Sequence, residues 1–563
     1  MKKLLLLSIL LLFFFICNAQ QIPKLESIHN ETPNNPFIKV DRASMEKSPS
    51  YNRTSSGLIT RQVNVDVNGD NILGDAANEP SIAVDPTNPN RIVIGWRQFD
   101  TVRSDFRQAG YGYSLDGGET WTFPGVLDPG VFRSDPILDF DAQGNFYYNA
   151  LTADPDLTMF SSDVFKIDDG GVVWSAGVSA HGGDKGWLEV DRSTSIGGGN
   201  IYSQWTFAFS ECESLNFTRS TNGATSFEAC SEIPNFPIYG TLAVNAQGDL
   251  YQTGFNSPGV FVQKSSTAKD PNEQVTWSAQ TIVPLGGLPS AGGPNPGGLL
   301  GHIWIDTDNS NGPGAGNIYV LSTVDIDATS DPADVMFSKS TDGGDTYSKG
   351  FRINNDSTNT AYQWFGTLSV APNGRIDIAW LDTRNASPNE FTSVLYYAFS
   401  EDQGESWSSN IPISEPFNPN IGYPQQEKLG DYFDMVSDND YAHLAWANTF
   451  TGGQDVYYTR ITPENVLGIS EVATSNNQLQ IVPNPVDNTT IVSFINKQAD
   501  QVILEIIDIH GRSVKTLLEA EVSGAQSVPW NAQDYYGIPL RSGVYFVRLT
   551  SGTNVSVEKV IVR

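Results

Sequence analysis

The sequence predicts an all-β protein: a large β-propeller of seven units, with six as the alternative, followed by a small Ig-like β-sandwich. Three observations predict it. A strand–turn–strand pattern ending in an aromatic residue recurs through residues 58–467. A Ser-x-Asp-x-Gly-x-Thr turn alternates with that pattern. Beyond residue 467 the repeat stops, and short runs of alternating apolar residues lie between glycine turns.

The first residues read as a secretory signal. Lys2 and Lys3 precede an unbroken apolar run from Leu4 to Ile16, and Cys17-Asn18-Ala19 supplies small residues for cleavage after Ala19. The run is short for a membrane anchor, and no later segment is apolar enough to span a bilayer. Residues 20–57 are polar and carry Pro, Asn and Ser, which predicts an extended leader.

The repeat comes next. Its first signal appears as SIAVDPTNPNRIVIGW at Ser81, ILDFDAQGNFYY at Ile137 and WLEVDRSTSIGGGNIYSQW at Trp187. It returns at Thr241, His302, Thr367 and Phe433. Asp85, Asp141, Asp191, Asn245, Asp306, Ala371 and Ser437 are taken as equivalent positions, which gives seven units. Each unit predicts a four-stranded blade. The seventh runs out at Asp455–Ile461, its third strand, so the strand-like stretch Arg61–Asp66 is expected to supply the fourth and close the ring.

The second signal is clearest at Ser114-Leu115-Asp116-Gly117-Gly118-Glu119-Thr120-Trp121. Asp342 and Asp402 with Trp407 head close copies, and Asn222 heads a weaker one. Asp169, Gly171 and Trp174 keep a remnant, as do Thr276 and Trp277. The carboxylate can cap backbone N–H groups, glycine supplies the turn's backbone angles, and the aromatic ring can bury between blades. These motifs resemble the Asp-box of sialidase-like (BNR-repeat) propellers. The resemblance speaks for fold, because the box is a structural device found in proteins of unrelated function.

The tail, residues 468–563, contains Pro483-Asn484-Pro485, ILEIIDIHGRSVKTL from Ile503, Gly524, Trp530, Ser542-Gly543-Val544-Tyr545 and a closing EKVIVR. In that order they resemble the C-terminal sorting domain of the type IX secretion system of Bacteroidetes. That resemblance implies export across the outer membrane, handling by the type IX machinery, and a secreted or outer-surface location.

Composition narrows the partner. The net charge is −31, of which −29 lies before residue 468. An acidic body argues against nucleic acid, whose phosphates need a basic face. Cys212 and Cys230 remain in the mature chain and flank one expected hairpin, and export permits a disulfide between them. Asp66, Asn68 and Asp70 place oxygen donors at alternate positions and form a candidate calcium loop, although the twelfth position is Ala77 and not Glu.

The Asp-box turns join strands 3 and 4 of each unit and so lie on one face. The loops leading into strand 1 and out of strand 2 lie on the other. There they carry Arg97, Arg133, His181, Lys185, His302, Trp364, Asp382, Arg384, Glu427 and Tyr432, beside Glu79, Asp135, Asp184, Lys428 and Asp431. These are expected to converge on one mouth. Arg97, His181, Asp382 and Glu427 are the candidate catalytic residues. Arg133, Lys185, His302, Trp364, Arg384 and Tyr432 are the candidate substrate contacts. Paired carboxylates would suit a glycoside hydrolase, and His or Tyr with Arg a polysaccharide lyase. The resemblance to sialidases implies an Arg-bearing Phe-Arg-Ile-Pro-like segment; here Ala77-Asn78-Glu79-Pro80 puts Asn at the arginine's place, which departs from sialic acid hydrolysis. The expected function is therefore recognition, and in one reading cleavage, of an extracellular glycan. The rival is a non-catalytic adhesion or protein-interaction propeller. No His-Glu-x-x-His or Gly-x-Ser-x-Gly supports proteolysis.

Overall fold

Strand alternation and blade-to-blade packing shape the larger part of the chain. The computed structural model describes residues 33–466 and 479–563, apart from 155, 157, 169–170, 327–330, 388–389, 487, 510 and 552–553. The signal peptide, the start of the leader and Asp169 therefore lie outside the described residues. The chain divides into two compact units, Met1–Leu467 and Gly468–Arg563.

In the first unit, seven antiparallel sheets of three to five strands follow one another among the described residues. Their first strands are Ala76–Val84, Ser134–Phe140, Trp187–Val190, Leu242–Val244, Trp304–Thr307, Gln363–Val370 and Asp434–Ser437. Each touches the next, and the last touches the first, so the sheets close into a ring. Second strands such as Ile92–Phe99 and Ile376–Asp382 are buried throughout, as expected of strands covered by a neighbouring sheet on both faces.

Side chains of the inner strands stitch sheet to sheet. Ser81 Oγ accepts from Leu138 N at 2.8 Å, Asp139 from Val190 N at 2.6 Å, Thr241 Oγ1 from Ile305 N at 3.0 Å, and Asp306 from Val370 N at 2.7 Å. Asp434 completes the circle by accepting from Ser81 Oγ at 2.5 Å and Ile82 N at 3.0 Å. Each such bond satisfies a buried backbone donor that would otherwise be costly.

The strand that completes the seventh sheet comes from the N-terminal side of the chain. It is Leu58–Gln62, paired with Asp455–Ile461 from Leu58↔Ile461 to Gln62↔Tyr457. The expected stretch began at Arg61. The regular strand starts earlier because Leu58, Thr60 and Gln62 alternate inward, while Val63 and Asn64 only extend its hydrogen bonds to Val456 and Asp455. Part of the expected leader is also structured: Asn52–Ser55 adds a fifth strand to this sheet, and Lys47–Ser48 pairs with Asn71–Ile72.

The four complete polar turns share one bonding pattern. In the first, Ser114 Oγ donates to Asp116 at 2.7 Å and accepts from Gly118 N at 2.9 Å, while Asp116 accepts from Thr120 N at 2.9 Å and Thr120 Oγ1 at 2.6 Å. The turns headed by Asp342 and Asp402 repeat it, and the one headed by Asn222 keeps the bond from Ser226 N but reverses the last, Asn222 Nδ2 donating to Ser226 Oγ. These bonds hold the carboxyl of Asp342 down to about 2. The following aromatic reaches the preceding sheet: Trp121 meets Tyr458 at 5.2 Å, Trp174 meets Tyr111 at 5.8 Å, and Trp407 meets Phe337 at 5.1 Å.

Two equivalences shift. The turn-forming residues of the fifth and seventh units are Asp308 and Asp438, whose carboxylates accept from Ser310 N and Asp440 N, and not Asp306 and Ser437. In these two units the turn forms at the aspartate whose side chain can cap it.

Among the described residues the second unit has five strands, Gln480–Val482, Thr490–Ile507, Ser513–Trp530, Gly543–Ser551 and Asn554–Val562. Register shifts interrupt the pairing of the two 18-residue strands at Asn496/Asp500. Residues on either side of that break, Val492 and Phe494 before it and Val502, Leu504 and Ile506 after it, share one core with Val547, Leu549, Val560 and Val562.

Candidate functional site

Six residues before the turn position of each unit, which is Ala371 in the sixth, the chain places one side chain near the start of the first strand. With the corrected equivalences, these are Glu79, Asp135, Lys185, Tyr239, His302, Phe365 and Tyr432. Glu79, Asp135, Lys185, Tyr239 and Phe365 have φ between 46° and 59°. Side chains rarely adopt that backbone, and its recurrence turns one group per sheet toward a common centre.

The centre is a closed ionic plug. Lys185 Nζ lies 2.8 Å from Asp431 Oδ2 and 3.3 Å from Asp184, and Lys428 Nζ lies 2.7 Å from Asp431. Arg97 Nε pairs with Glu79 at 3.2 Å and donates to Asn78 at 2.9 Å. Asp431 N donates to Glu79 at 3.1 Å, and Lys185 N to Asp135 at 2.9 Å. Tyr432 OH donates to the Pro136 carbonyl at 2.9 Å. All of these charged groups are buried. Burial pushes the Glu79 carboxyl well above the usual range, against the pull of Arg97.

His302 sits in the same plug, its ring 4.9 Å from Tyr432 and 5.8 Å from Trp187. Among the described residues neither ring nitrogen has a hydrogen-bond partner. Burial lowers its pKa to about 3, so the ring is neutral at physiological pH.

A short hairpin packs against this plug. It is made by Ala291–Gly292 and Asn295–Leu299 of the loop before the fifth sheet's first strand. Leu299 N donates to Asp431 Oδ1 at 2.8 Å, Asn295 Nδ2 to the Gly430 carbonyl at 2.8 Å, and Gly297 N to the Glu427 carbonyl at 2.8 Å.

The four candidate catalytic residues sit among different partners. Arg97 belongs to the buried plug. Asp382 is buried and accepts from Trp380 Nε1 at 3.0 Å and from Arg384 Nη2 at 2.7 Å. His181 lies in the loop before the third sheet, with Nδ1 3.1 Å from Glu211. Glu427 is exposed. The candidate substrate contacts are similarly engaged. Arg133 pairs with Asp128 at 2.8 Å and Asp163 at 2.7 Å. Arg384 stacks on Tyr396 at 4.3 Å. Trp364 is core: fully buried, packed on Phe365 at 4.6 Å and donating to Ser393. It lies within the strand Gln363–Val370, paired with Leu381, and not in the loop before it. In the candidate calcium loop, Asp66 Oδ1 accepts from Asn68 N at 2.8 Å and Asp70 N at 3.0 Å, so one of its oxygens caps its own loop.

Two features escaped the sequence reading. One is a set of acids two residues before the capping Asp, namely Asp139, Glu189 and Asp306, with Arg192 bound to the first at 2.5 Å and the second at 3.1 Å. The recurring acid-x-Asp was its signal. The other is a pair of aromatic contacts on loops around the third sheet, one of them with an exposed ring. Phe209 is 51% exposed and 6.2 Å from Phe160, and Phe207 meets Phe236 at 5.3 Å. Cys212 and Cys230 are joined by a disulfide in the same region. Ser210 Oγ ties this loop to the Gly182 carbonyl at 2.6 Å, next to His181.

No curated protein matches the chain in sequence. Among solved structures, it is similar to a protein of unknown function from Dyadobacter fermentans at 12% identity, covering 72% of this chain and 99% of that one, with a TM-score of 0.42. Trypanosoma rangeli sialidase is 11% identical over 90% and 89% of the two chains, at 0.38. PorZ, a surface component of the type IX secretion system of Porphyromonas gingivalis, is 12% identical over 96% and 88%, at 0.29. No helix among the described residues is long and apolar enough to cross a membrane. Residues 480–563 match the secretion system C-terminal sorting domain, which marks the protein for secretion and attachment at the outer surface.

Proposed function

We propose that the protein is a surface-delivered recognition propeller that binds an extracellular glycan without cleaving it. The observation that carries this reading is the exposed Phe209, two residues before Glu211 and its His181 partner, on the loop where Phe207 packs on Phe236. A sugar ring has an apolar face that suits an exposed aromatic, and hydroxyls that suit a polar pair at its edge. A loop held by a disulfide and by Ser210 loses little freedom on binding. Arg97, Arg133 and Arg384 are engaged with carboxylates, and the body is strongly acidic, so a neutral glycan suits this surface better than a uronate or a sulfated chain.

The test is retention of the full-length protein on an array of neutral, sialylated, uronate-bearing and sulfated glycans, with assays for new reducing ends and unsaturated products. Binding to neutral glycans that Phe209→Ala removes without lowering thermal stability supports the reading. Release of products overturns the non-catalytic part, and binding indifferent to Phe209 overturns the site.

A further inference from the structure

The geometry points to a metal site that is exchangeable with the Cys212–Cys230 disulfide, taking a thiophilic divalent cation such as zinc. The ligating atoms of His181, Cys212 and Cys230 all lie within 4.8 Å of one another, and none of the three residues is deeply buried. His181 Nδ1 is 3.1 Å from Glu211 Oε1, which leaves Nε2 to bind metal and gives the ring a carboxylate partner. Metal-bound histidines are commonly oriented in this way. Two thiolates and an imidazole suit zinc or a similar soft cation, and a water would complete a tetrahedron.

The scaffold holds these groups together without help from the disulfide. Ser210 Oγ donates to the Gly182 carbonyl at 2.6 Å, and Cys212 N donates to Ser210 Oγ at 3.1 Å. Glu211 N donates to the Phe160 carbonyl at 3.0 Å. On the other side, Ser231 N donates to the Phe217 carbonyl at 2.8 Å and so anchors the residue after Cys230. With metal–ligand bonds of about 2.0–2.3 Å, neighbouring donors stand roughly 3.5 Å apart. The His181 nitrogen, within 4.8 Å of the sulfurs, therefore approaches by about an ångström, while the two sulfurs, about 2 Å apart when bonded, separate by about 1.5 Å after reduction, both by side-chain rotation.

The chemistry balances. Two equivalents of a thiol reductant transfer two electrons and two protons to the disulfide, giving two cysteine thiols and the oxidised reductant. The divalent cation then displaces both thiol protons and is held by two thiolates and neutral His181. Exchange with a small-molecule disulfide runs the step backwards: the two cysteine thiolates lose two electrons and form the protein disulfide, the small disulfide takes those electrons and two protons to give two thiols, and the cation is released. The loop is thus closed either by a sulfur–sulfur bond or by a metal. The inference does not depend on glycan binding.

The experiment titrates the full-length protein with Co2+, after phosphine reduction and after full oxidation, and follows thiolate-to-cobalt charge-transfer absorption, with Zn2+ as competitor. The reduced protein is expected to bind one Co2+ per chain with that absorption, and the oxidised protein none. Cys230→Ser should abolish the band, and Glu211→Gln should weaken affinity about tenfold or more. His181 has φ 57°, so His181→Asn is the variant of choice, because Asn tolerates that backbone; it should lower affinity at least tenfold. Thermal unfolding checks that each variant is folded. Absence of the band in the reduced protein, its persistence in Cys230→Ser, or equal Co2+ binding by the oxidised protein would each overturn the site.

Discussion

Lys185, at the head of the third sheet, reaches Asp431, before the seventh, with Nζ 2.8 Å from Oδ2 and both side chains almost fully buried. Lys428 shares the same oxygen at 2.7 Å, and Leu299 N holds the other. One carboxylate thus bonds groups from three sheets' loops, and removing it takes the nearest carboxylate from two buried ammonium groups. Asp431→Ala is expected to lower the unfolding free energy by about 3–5 kcal/mol, the range for breaking a buried ion pair from one side. Urea unfolding measures it. A loss below about 1 kcal/mol would mean that water reaches the lysines.

His302 makes acid sensitivity specific. Its folded pKa is about 3 and its unfolded value about 6.5, so below pH 6.5 the unfolded chain takes up a proton that the fold refuses. The stabilising contribution is complete above pH 6.5 and is lost as pH falls toward 3. Phe can keep the ring contacts to Tyr432 and Trp187 and carries no proton. Between pH 7 and pH 5 the wild type should lose about 2 kcal/mol more than His302→Phe, at about 1.4 kcal/mol per pH unit. Parallel denaturation curves for the two proteins would mean that the ring is protonated inside the fold.

Much of the fold was legible because its devices recur at fixed offsets. Asp116, Asp342 and Asp402 announce their turns, and Trp121, Trp174 and Trp407 announce the contacts between sheets. Glu79, Asp135, Lys185, His302, Asp431 and Tyr432 stood among the side chains expected on one face, but mixed with Arg133, His181, Trp364 and Glu427, which have other partners or stand exposed, and without Phe365. Their pairings were not legible. Nothing in the sequence says that Lys185 meets Asp431 or that Arg133 meets Asp163, because those pairings depend on strand register and on loops crossing the ring. Trp364 was placed in a loop because the repeat starts at Thr367, whereas the strand already runs from Gln363 and Trp364 pairs with Leu381 inside the core. Phe209 was missed because its loop has no counterpart in the repeat. A phenylalanine left 51% exposed is visible only once the neighbouring packing is known.

Two glycines separate backbone strain from steric exclusion. Gly343 has φ +76° and nothing within 4 Å of where a Cβ would stand, whereas a Cβ on Gly118, φ +86°, would run into the Tyr458 ring of the seventh sheet. Gly343→Ala should therefore cost only about 1–2 kcal/mol, the left-handed penalty. Gly118→Ala should add about 1–3 kcal/mol of overpacking and push Tyr458 from Trp121. Equal losses in urea unfolding would show that the ring moves freely and that the contact between sheets is not tight.

The ring's closure rests on a strand far from its partner in sequence. Leu58–Gln62 lies between Asn52–Ser55 and Asp455–Ile461, so its backbone donors and acceptors are divided between two neighbours. Thr60 is buried at its centre, paired with Thr459, and the two hydroxyls are 3.0 Å apart. Proline at position 60 removes one donor from a strand covered on both edges and leaves a buried acceptor unmet. Thr60→Pro should cost at least about 2 kcal/mol, whereas Thr60→Val, which loses only the hydroxyl pair, should cost less. Limited proteolysis locates the effect. If closure holds the seventh sheet in place, new cuts in Thr60→Pro will fall first between residues 52 and 76 and near 449–454. Cuts scattered evenly through all seven sheets would show instead that the ring opens only by global unfolding.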